Sequence, residues 1–272
     1  MPELRAVASS ALVVDIRNFT PNLYSGRTSA SRRDSFCAFL TRFYNCCIQD
    51  CVTACRSGDP QDLYVNGTGD GILAVFLSRR HVFDAYLAGL MLCNHLTDLC
   101  DQYNRLKSKR VPHISFGMGI DCGQVQRVIS TNEGCQVIST YVGDCINVAA
   151  RLESLTKNYT RTYVLLSERA NGVLCKGLFR QDYDKLMVSA LNPSLPSHRR
   201  RRLWARMAKL NERLMVTFMH LHNIRGMPDA LAVFRLSPTL AAFGRPEFGR
   251  LVAKLCVDSS HRREVNQRIG KV

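Results

Sequence analysis

Short apolar runs and longer stretches of helical periodicity alternate along the first 120 residues of the chain. The run at 11–14 (ALVV) is continuously apolar and ends at Asp15, which predicts a central strand with a carboxylate at its C-terminal end. From 31 to 54 the apolar residues recur at the spacing of an amphipathic helix. The sequence GDP at 58–60 is expected to end that helix.

The next segment has the pattern of a β-hairpin. Two apolar runs, at 63–65 and 72–76, flank the sequence NGTGDG at 66–71. The glycines of this connection permit positive φ, which tight turns between strands require. Asp70 is therefore predicted to lie at the tip of the hairpin.

The elements that follow complete a mixed α+β pattern. A helix is predicted over 82–105, and alternating apolar residues predict a strand over 114–120. Further strands are expected at 137–142 and 163–166. Between them a helix is predicted over 144–157, with Asp144 as its N-cap. This order predicts an α+β fold, a ferredoxin-like βαββαβ core whose antiparallel sheet is covered by helices.

Composition and charge narrow the class of protein. Hydrophobic residues make up 46% and charged residues 22% of the chain, values typical of a folded globular protein. The net charge of +15 favours an anionic partner such as a triphosphate, a nucleic acid or an acidic membrane. The start of the chain lacks a signal-peptide pattern, and the longest apolar stretch, around 86–93, is too short to span a bilayer. A cytoplasmic protein is expected.

Cysteine and histidine are numerous but lack metal-binding spacing. The 12 cysteines include no CxxC pair, and the seven histidines include no HExxH motif. Several of the cysteines fall within apolar segments, which predicts buried, reduced thiols rather than a disulfide framework. The sequence pattern does not predict a zinc site.

Two pairs of polar residues are candidates for chemistry. Asp15 and Asp70, on neighbouring strands, could bridge two divalent ions such as Mg²⁺ or Mn²⁺. Asn147 and Arg151 are four residues apart and share a helix face, from which an arginine could stabilise charge on a phosphate. Taken singly, each residue has an ordinary structural alternative, a cap or turn for the aspartates and a solvated face for the arginine.

The combination of motifs resembles the class III adenylyl and guanylyl cyclases. The resembling segments are VVDIRNFT at 13–20, GDGILAVF at 69–76, GIDCG at 119–123 and YVGDCINVAARLE at 141–153, and the likeness returns at 224–226 and 233–236. Because four motifs occur in the family's order, the resemblance implies a catalytic domain that converts a nucleoside triphosphate into a 3′,5′-cyclic nucleotide and pyrophosphate.

The resemblance implies roles for particular residues. Asp15 and Asp70 would bind two Mg²⁺ or Mn²⁺ ions per active site, and Ile16 would add its backbone carbonyl. Asn147 and Arg151 would act on the transition state. The phosphate-binding positions would be the backbone amides of Arg17, Asn18, Phe19 and Thr20, with Arg225 as a weaker candidate for the terminal phosphates.

The family's active site lies between two catalytic domains, so a chain with both residue sets implies a homodimer with two equivalent sites. The family reads the base at two positions, which here are Asn66 and Thr140. Both side chains can donate and accept hydrogen bonds, so neither base is excluded. The absence of an acidic residue at position 66 favours ATP over GTP. A guanylyl cyclase and a catalytically silent nucleotide-binding or dimerisation module are the alternatives.

The resemblance also suggests a division of the chain. The cyclase catalytic core would span 1–177, followed by a basic insertion or dimer arm at 178–212. Strands within 213–237 would complete the catalytic domain, and 238–272 would form a basic tail. The arginine run within the insertion is interpreted as a solvated face or a dimer arm. Contacts with nucleic acid or an acidic membrane are weaker alternatives, since Trp204 is the one tryptophan near these charges.

Overall fold

A computed structural model of the chain describes residues 6–25, 29–106, 111–130, 138–159, 163–223, 229–236 and 246–269. The strands in these ranges form one sheet of eight strands, and helices pack on both of its faces. Among the described helices, none combines the length and apolarity needed to cross a membrane.

The centre of the sheet has the ferredoxin-like arrangement. Its strands are β1 (Val7–Arg17), β2 (Leu63–Gly67), β3 (Gly71–Phe76) and β4 (Ser115–Ser130). They lie in the order β2-β3-β1-β4, and each neighbouring pair is antiparallel. The predicted α+β fold and its hairpin are therefore confirmed.

The sheet continues past this centre with strands from the second half of the chain. These are β5 (Ile138–Gly143), β6 (Val164–Ser167), β7 (Val216–His222) and β8 (Leu231–Leu236). Strand β6 runs parallel to β4, while β8 and β7 extend the sheet in antiparallel fashion and β5 pairs with the far end of β4. Strand β4 is longer than the sequence pattern predicts, because its second half supplies the partner for β5.

The described helices include those predicted over 82–105 and 144–157, within a few residues of the predicted bounds. They are α1 (Phe19–Ser25), α2 (Ala30–Asn45), α3 (His81–Leu106), α4 (Asp144–Leu155), α5 (Glu168–Phe179), α6 (Tyr183–Leu191), α7 (Ser197–Arg213), α8 (Pro246–Leu255) and α9 (Ser259–Ile269). The helix predicted over 31–54 changes character at its middle, because α2 continues as a π-helix over Cys46–Thr53. The prediction of Asp144 as an N-cap is wrong, since Gly143 caps α4 and Asp144 is its first residue.

The two faces of the sheet carry different layers. Helices α2, α3 and α5 cover one face and form the main core with residues such as Phe43 and Tyr86, which are almost fully buried. Helix α4 packs on the opposite face. A Cβ atom at Gly119 of β4 would lie 1.9 Å from the carbonyl oxygen of Ala149. The glycine is needed for this close approach of α4 to the sheet.

The cysteines of the described residues form no disulfide, and all except Cys37 are buried, as the apolar segments around them predict. Burial raises the pKa of Cys93 and of Cys100 to about 12. These thiols therefore remain protonated at neutral pH and behave as small apolar side chains.

Candidate active site

The hairpin between β2 and β3 places Asp70 beside the end of β1. In the register of β1 and β3, Asp15 lies opposite Gly71. The Ile16 amide donates a hydrogen bond of 2.8 Å to the carbonyl oxygen of Asp70. A Cβ atom at Gly71 would lie 2.1 Å from the carbonyl oxygen of Val14, so only glycine allows this close pairing. The two predicted metal-binding aspartates therefore lie at the same edge of the sheet.

The surroundings of Asp15 combine burial with charges of both signs. The pKa of Asp15 is raised first by burial and next by the negative charge of Asp70, while Lys157 lowers it. The Lys157 Nζ atom lies 3.3 Å from Asp15 Oδ2 and 3.8 Å from Glu153 Oε1. The carboxylates thus form a half-buried anionic centre that attracts a cation.

The motifs assign no role to Glu153 or Lys157 and only a backbone role to Arg17, but all three side chains reach this centre. Glu153 and Lys157 extend from the end of α4 and the turn after it, and Arg17 donates a hydrogen bond to the hydroxyl of Thr156. Burial lowers the pKa of the Arg17 guanidinium, and the charge of Glu153 opposes that shift. The i,i+4 spacing of Glu153 and Lys157 is a local signal for an ion pair, but it does not reveal the contact with Asp15.

Helix α4 carries the predicted transition-state pair. Asn147 is exposed and Arg151 is half-buried. Lys157, just after this helix, contacts Asp15, whereas Asn147 precedes Lys157 by ten positions and so lies on the order of 15 Å away along the helix axis. Within the described part of one chain, Asn147 is therefore far from the carboxylates of Asp15 and Asp70.

An arginine that pairs with two aspartates links the start of α4 to the sheet. Arg169, at the start of α5, forms ion pairs with Asp121 of β4 and with Asp144 of α4. Burial raises the pKa of Asp121, and the hydrogen bonds and charge of Arg169 lower it. This arginine connects a strand and two helices, so it positions α4 on the sheet.

The segment predicted to bind phosphates follows β1 directly. Asn18 has a φ of 61°, and α1 begins at the next residue, Phe19. The Asn18 side-chain amide donates a hydrogen bond of 2.7 Å to the carbonyl oxygen of His113. Thr20 is exposed. Arg225, the other predicted phosphate ligand, lies outside the described residues.

The two predicted base-reading positions lie on strands β2 and β5. Asn66 is exposed near the end of β2, and Thr140 is half-buried in β5. The ring centroids of Tyr64 and Tyr141, which belong to the same two strands, are 5.2 Å apart. This aromatic contact joins side chains of two strands that are separated in the strand order by β3, β1 and β4.

Solved structures with the same architecture include several cyclases. The adenylyl cyclase CyaB from P. aeruginosa superposes with a TM-score of 0.56 at 14% identity, covering 88% of this chain and 98% of that chain. The guanylyl cyclase Cya2 gives 0.54 at 15% identity, covering 89% and 95%. A bacterial light-regulated adenylyl cyclase gives 0.54 at 13% identity, covering 97% and 99%. This is the class III nucleotidyl cyclase fold.

A relative found by sequence comparison agrees with the cyclase fold. An adenylate cyclase of Anabaena cylindrica is 31% identical over 113 residues, which is 41% of this chain. The match spans 22% of the length of that relative. No protein-family profile matches the chain. The resemblance of the motifs to the cyclases is therefore confirmed in the fold, which the adenylyl and guanylyl enzymes share.

Proposed function

We propose that this chain is a nucleotidyl cyclase that converts ATP into 3′,5′-cyclic AMP and pyrophosphate, using two divalent ions in each active site of a homodimer. The observation that supports this function best is the placement of Asp15 beside Asp70 at one sheet edge of a cyclase fold. The adenylate cyclase relative and the adenylyl cyclase neighbours add support for the reaction class.

The residues at this edge fit a pair of hard cations. Two carboxylates and the main-chain carbonyl of Ile16 are oxygen donors, which Mg²⁺ and Mn²⁺ prefer. The charge of Asp70 raises the pKa of Asp15, and bound cations would relieve that repulsion. When bound, such ions would polarise the ribose 3′-hydroxyl and the α-phosphate.

The protein residues would divide the remaining work. The 3′-oxygen attacks the α-phosphorus, the bond to the β-phosphate oxygen breaks, and the hydroxyl proton leaves to solvent. Arg151 would stabilise the negative charge that develops at the α-phosphate, and Asn147 would orient the ribose by a hydrogen bond. The amides from Arg17 to Thr20 would hold the departing pyrophosphate.

A homodimer would bring the two residue sets together. The axial separation of Asn147 from the carboxylates within one chain favours a site completed by α4 of a second chain. Beside α4, the sheet face carries half-buried apolar side chains, including Val13 and Leu73. Val142 is 47% exposed at the end of β5. Such a surface favours burial against a second copy.

Replacing Lys157 with methionine is expected to strengthen metal binding. The change removes a positive charge that lies 3.3 Å from Asp15, so a divalent ion no longer competes with it. Because Lys157 is half exposed, the Mn²⁺ concentration for half-maximal activity should fall by only about two- to fivefold. The matched control is Lys185→Met, at an exposed ion pair on α6. A rise in the half-saturating concentration would contradict this role.

A side-by-side assay with ATP and GTP in Mn²⁺ tests the proposed substrate, with cyclic AMP as the expected main product. Replacing Asn66 with glutamate should raise the ratio of cyclic GMP to cyclic AMP formation about tenfold. A carboxylate accepts hydrogen bonds from guanine N1 and N2 but repels the N1 acceptor of adenine. The matched control is Gln61→Glu at an exposed position just before β2, which should leave the product ratio unchanged.

The assay also separates the competing functions. Cyclic GMP as the main product of the unmodified chain would favour the guanylyl cyclase alternative. The structural similarity to the guanylyl cyclase Cya2 is consistent with that alternative. Absence of both products from folded, dimeric protein would favour the silent binding module.

A further inference from the structure

The π-helix after α2 aligns two cysteines that an α-helix would separate. In an α-helix, residues five apart point about 140° away from each other, whereas the i→i+5 bonding of a π-helix returns them to nearly the same face. Cys46 and Cys51 are five apart within the π-helix Cys46–Thr53. The Thr53 hydroxyl donates a hydrogen bond of 2.6 Å to the carbonyl oxygen of Ile48, which repeats the five-residue spacing.

A histidine of α3 faces this pair of thiols. One ligand atom from each of Cys46, Cys51 and His95 lies within 4.8 Å of the others. Both cysteines are buried, Cys51 completely. The Nε2 atom of His95 is buried without a hydrogen-bond partner, which is costly for a polar atom that no ligand satisfies. The backbone of Arg268 on α9 lies against the same ring.

We propose that Cys46, Cys51 and His95 bind a thiophilic divalent ion of the zinc class. Two sulfur atoms and one imidazole nitrogen form a donor set that favours Zn²⁺ over Mg²⁺. Zinc bonds of about 2.0–2.3 Å place neighbouring ligand atoms roughly 3.3–3.8 Å apart. The three ligand atoms lie within 4.8 Å of one another, so they would need to approach by at most about 1.5 Å. Three protein ligands and one water complete a tetrahedral ion. Binding releases the two thiol protons to solvent and changes no oxidation state.

The site is distinct from the active site and would stabilise the elements behind it. It lies on the face covered by α2 and α3, whereas Asp15 faces α4. Tyr44, two residues before Cys46, donates a hydrogen bond of 3.0 Å to the carbonyl oxygen of Gly69 next to Asp70. An ion that ties the π-helix to α3 would therefore also steady the hairpin.

The test is a titration of the reduced, metal-free 272-residue chain with Co²⁺ under anaerobic conditions. A thiolate-to-cobalt charge-transfer band should appear and saturate at one ion per chain, and Zn²⁺ should displace it. The oxygen ligands of the active site cannot produce such a band. Zinc at a hundredfold excess over its Kd should raise the melting temperature by about 5 °C or more.

Variants assign the band to this site. Cys46→Ser, Cys51→Ser and His95→Ala should each lose the one-ion band and the zinc-dependent rise in melting temperature. Cys93→Ser, which replaces another buried thiol of α3, should keep both. A folded wild-type chain without the band would overturn the proposal, and so would a band that survives in Cys46→Ser and Cys51→Ser. The absence of the band from the wild-type chain would overturn the proposal even if a variant fails to fold. The outcome is independent of cyclase activity.

Discussion

Asp15→Asn and Asp70→Asn are each expected to lower cyclic nucleotide formation at least about a thousandfold. Each change removes a proposed anionic metal ligand but nearly preserves side-chain volume. Loss of about 4 kcal/mol of transition-state stabilisation, a magnitude within reach of metal catalysis, corresponds to that factor. The measurement is product formation from ATP at saturating Mn²⁺, with turnover and Michaelis constant determined separately.

Stability measurements distinguish this loss from unfolding. The raised pKa of Asp15 means that the folded state binds its proton more tightly than the unfolded chain does. The charged carboxylate therefore costs stability at neutral pH, and Asp15→Asn should leave the melting temperature unchanged or raise it. Asp34→Asn, at an exposed position of α2, should keep full activity. Near-normal turnover of either active-site variant would show that the two-metal assignment is wrong.

Mixing two inactive variants is expected to restore about a quarter of wild-type activity. Asp15→Asn and Arg151→Ala should each be inactive alone, because every site of the proposed dimer would lack one essential group. In a mixed dimer, one site inherits both substitutions and the other inherits neither. Random exchange of equal amounts makes about half of the dimers mixed, and each has one working site of two. The assay uses co-refolded chains whose mixed dimers are verified by mass.

The control places both substitutions in one chain and mixes it with wild-type chain. If each site draws on two chains, both sites of the mixed dimer carry one substitution, so about a quarter of the activity should remain. Sites contained within one chain would instead leave about half. Verified mixed dimers of the single variants without restored activity would contradict independent sites at a shared interface.

Local patterns determined much of the architecture. The apolar run before Asp15, the glycine-rich turn at 66–71 and the helical period over 82–105 each depend on neighbouring residues, so their elements could be predicted from the sequence. The order of these elements then restricted the sheet to a ferredoxin-like arrangement, which is the one observed. The extension of β4 to Ser130 could not be predicted in the same way, because a strand's length depends on a partner such as β5 that comes later in the chain.

Around the proposed metal-binding aspartates, the sequence motifs predict some residues, whereas other contacts depend on the fold. The motifs were sufficient to select Asp15 and Asp70 as candidates, and the β1–β3 register now places them at one edge. The contact of Lys157 with Asp15 joins positions 142 residues apart. The contact arises because α4 packs against the glycines of β4. No local sequence pattern encodes this packing.

The cysteine–histidine cluster depends on tertiary structure most of all. In the sequence, Cys46 and Cys51 have no metal-binding spacing, and His95 lies 44 positions after Cys51. The sequence by itself predicted that these thiols would be buried, because they fall within apolar segments. Only the folded chain decided that they meet a histidine, because a π-helix turns both cysteines to one side and the packing of that helix against α3 brings His95 to them.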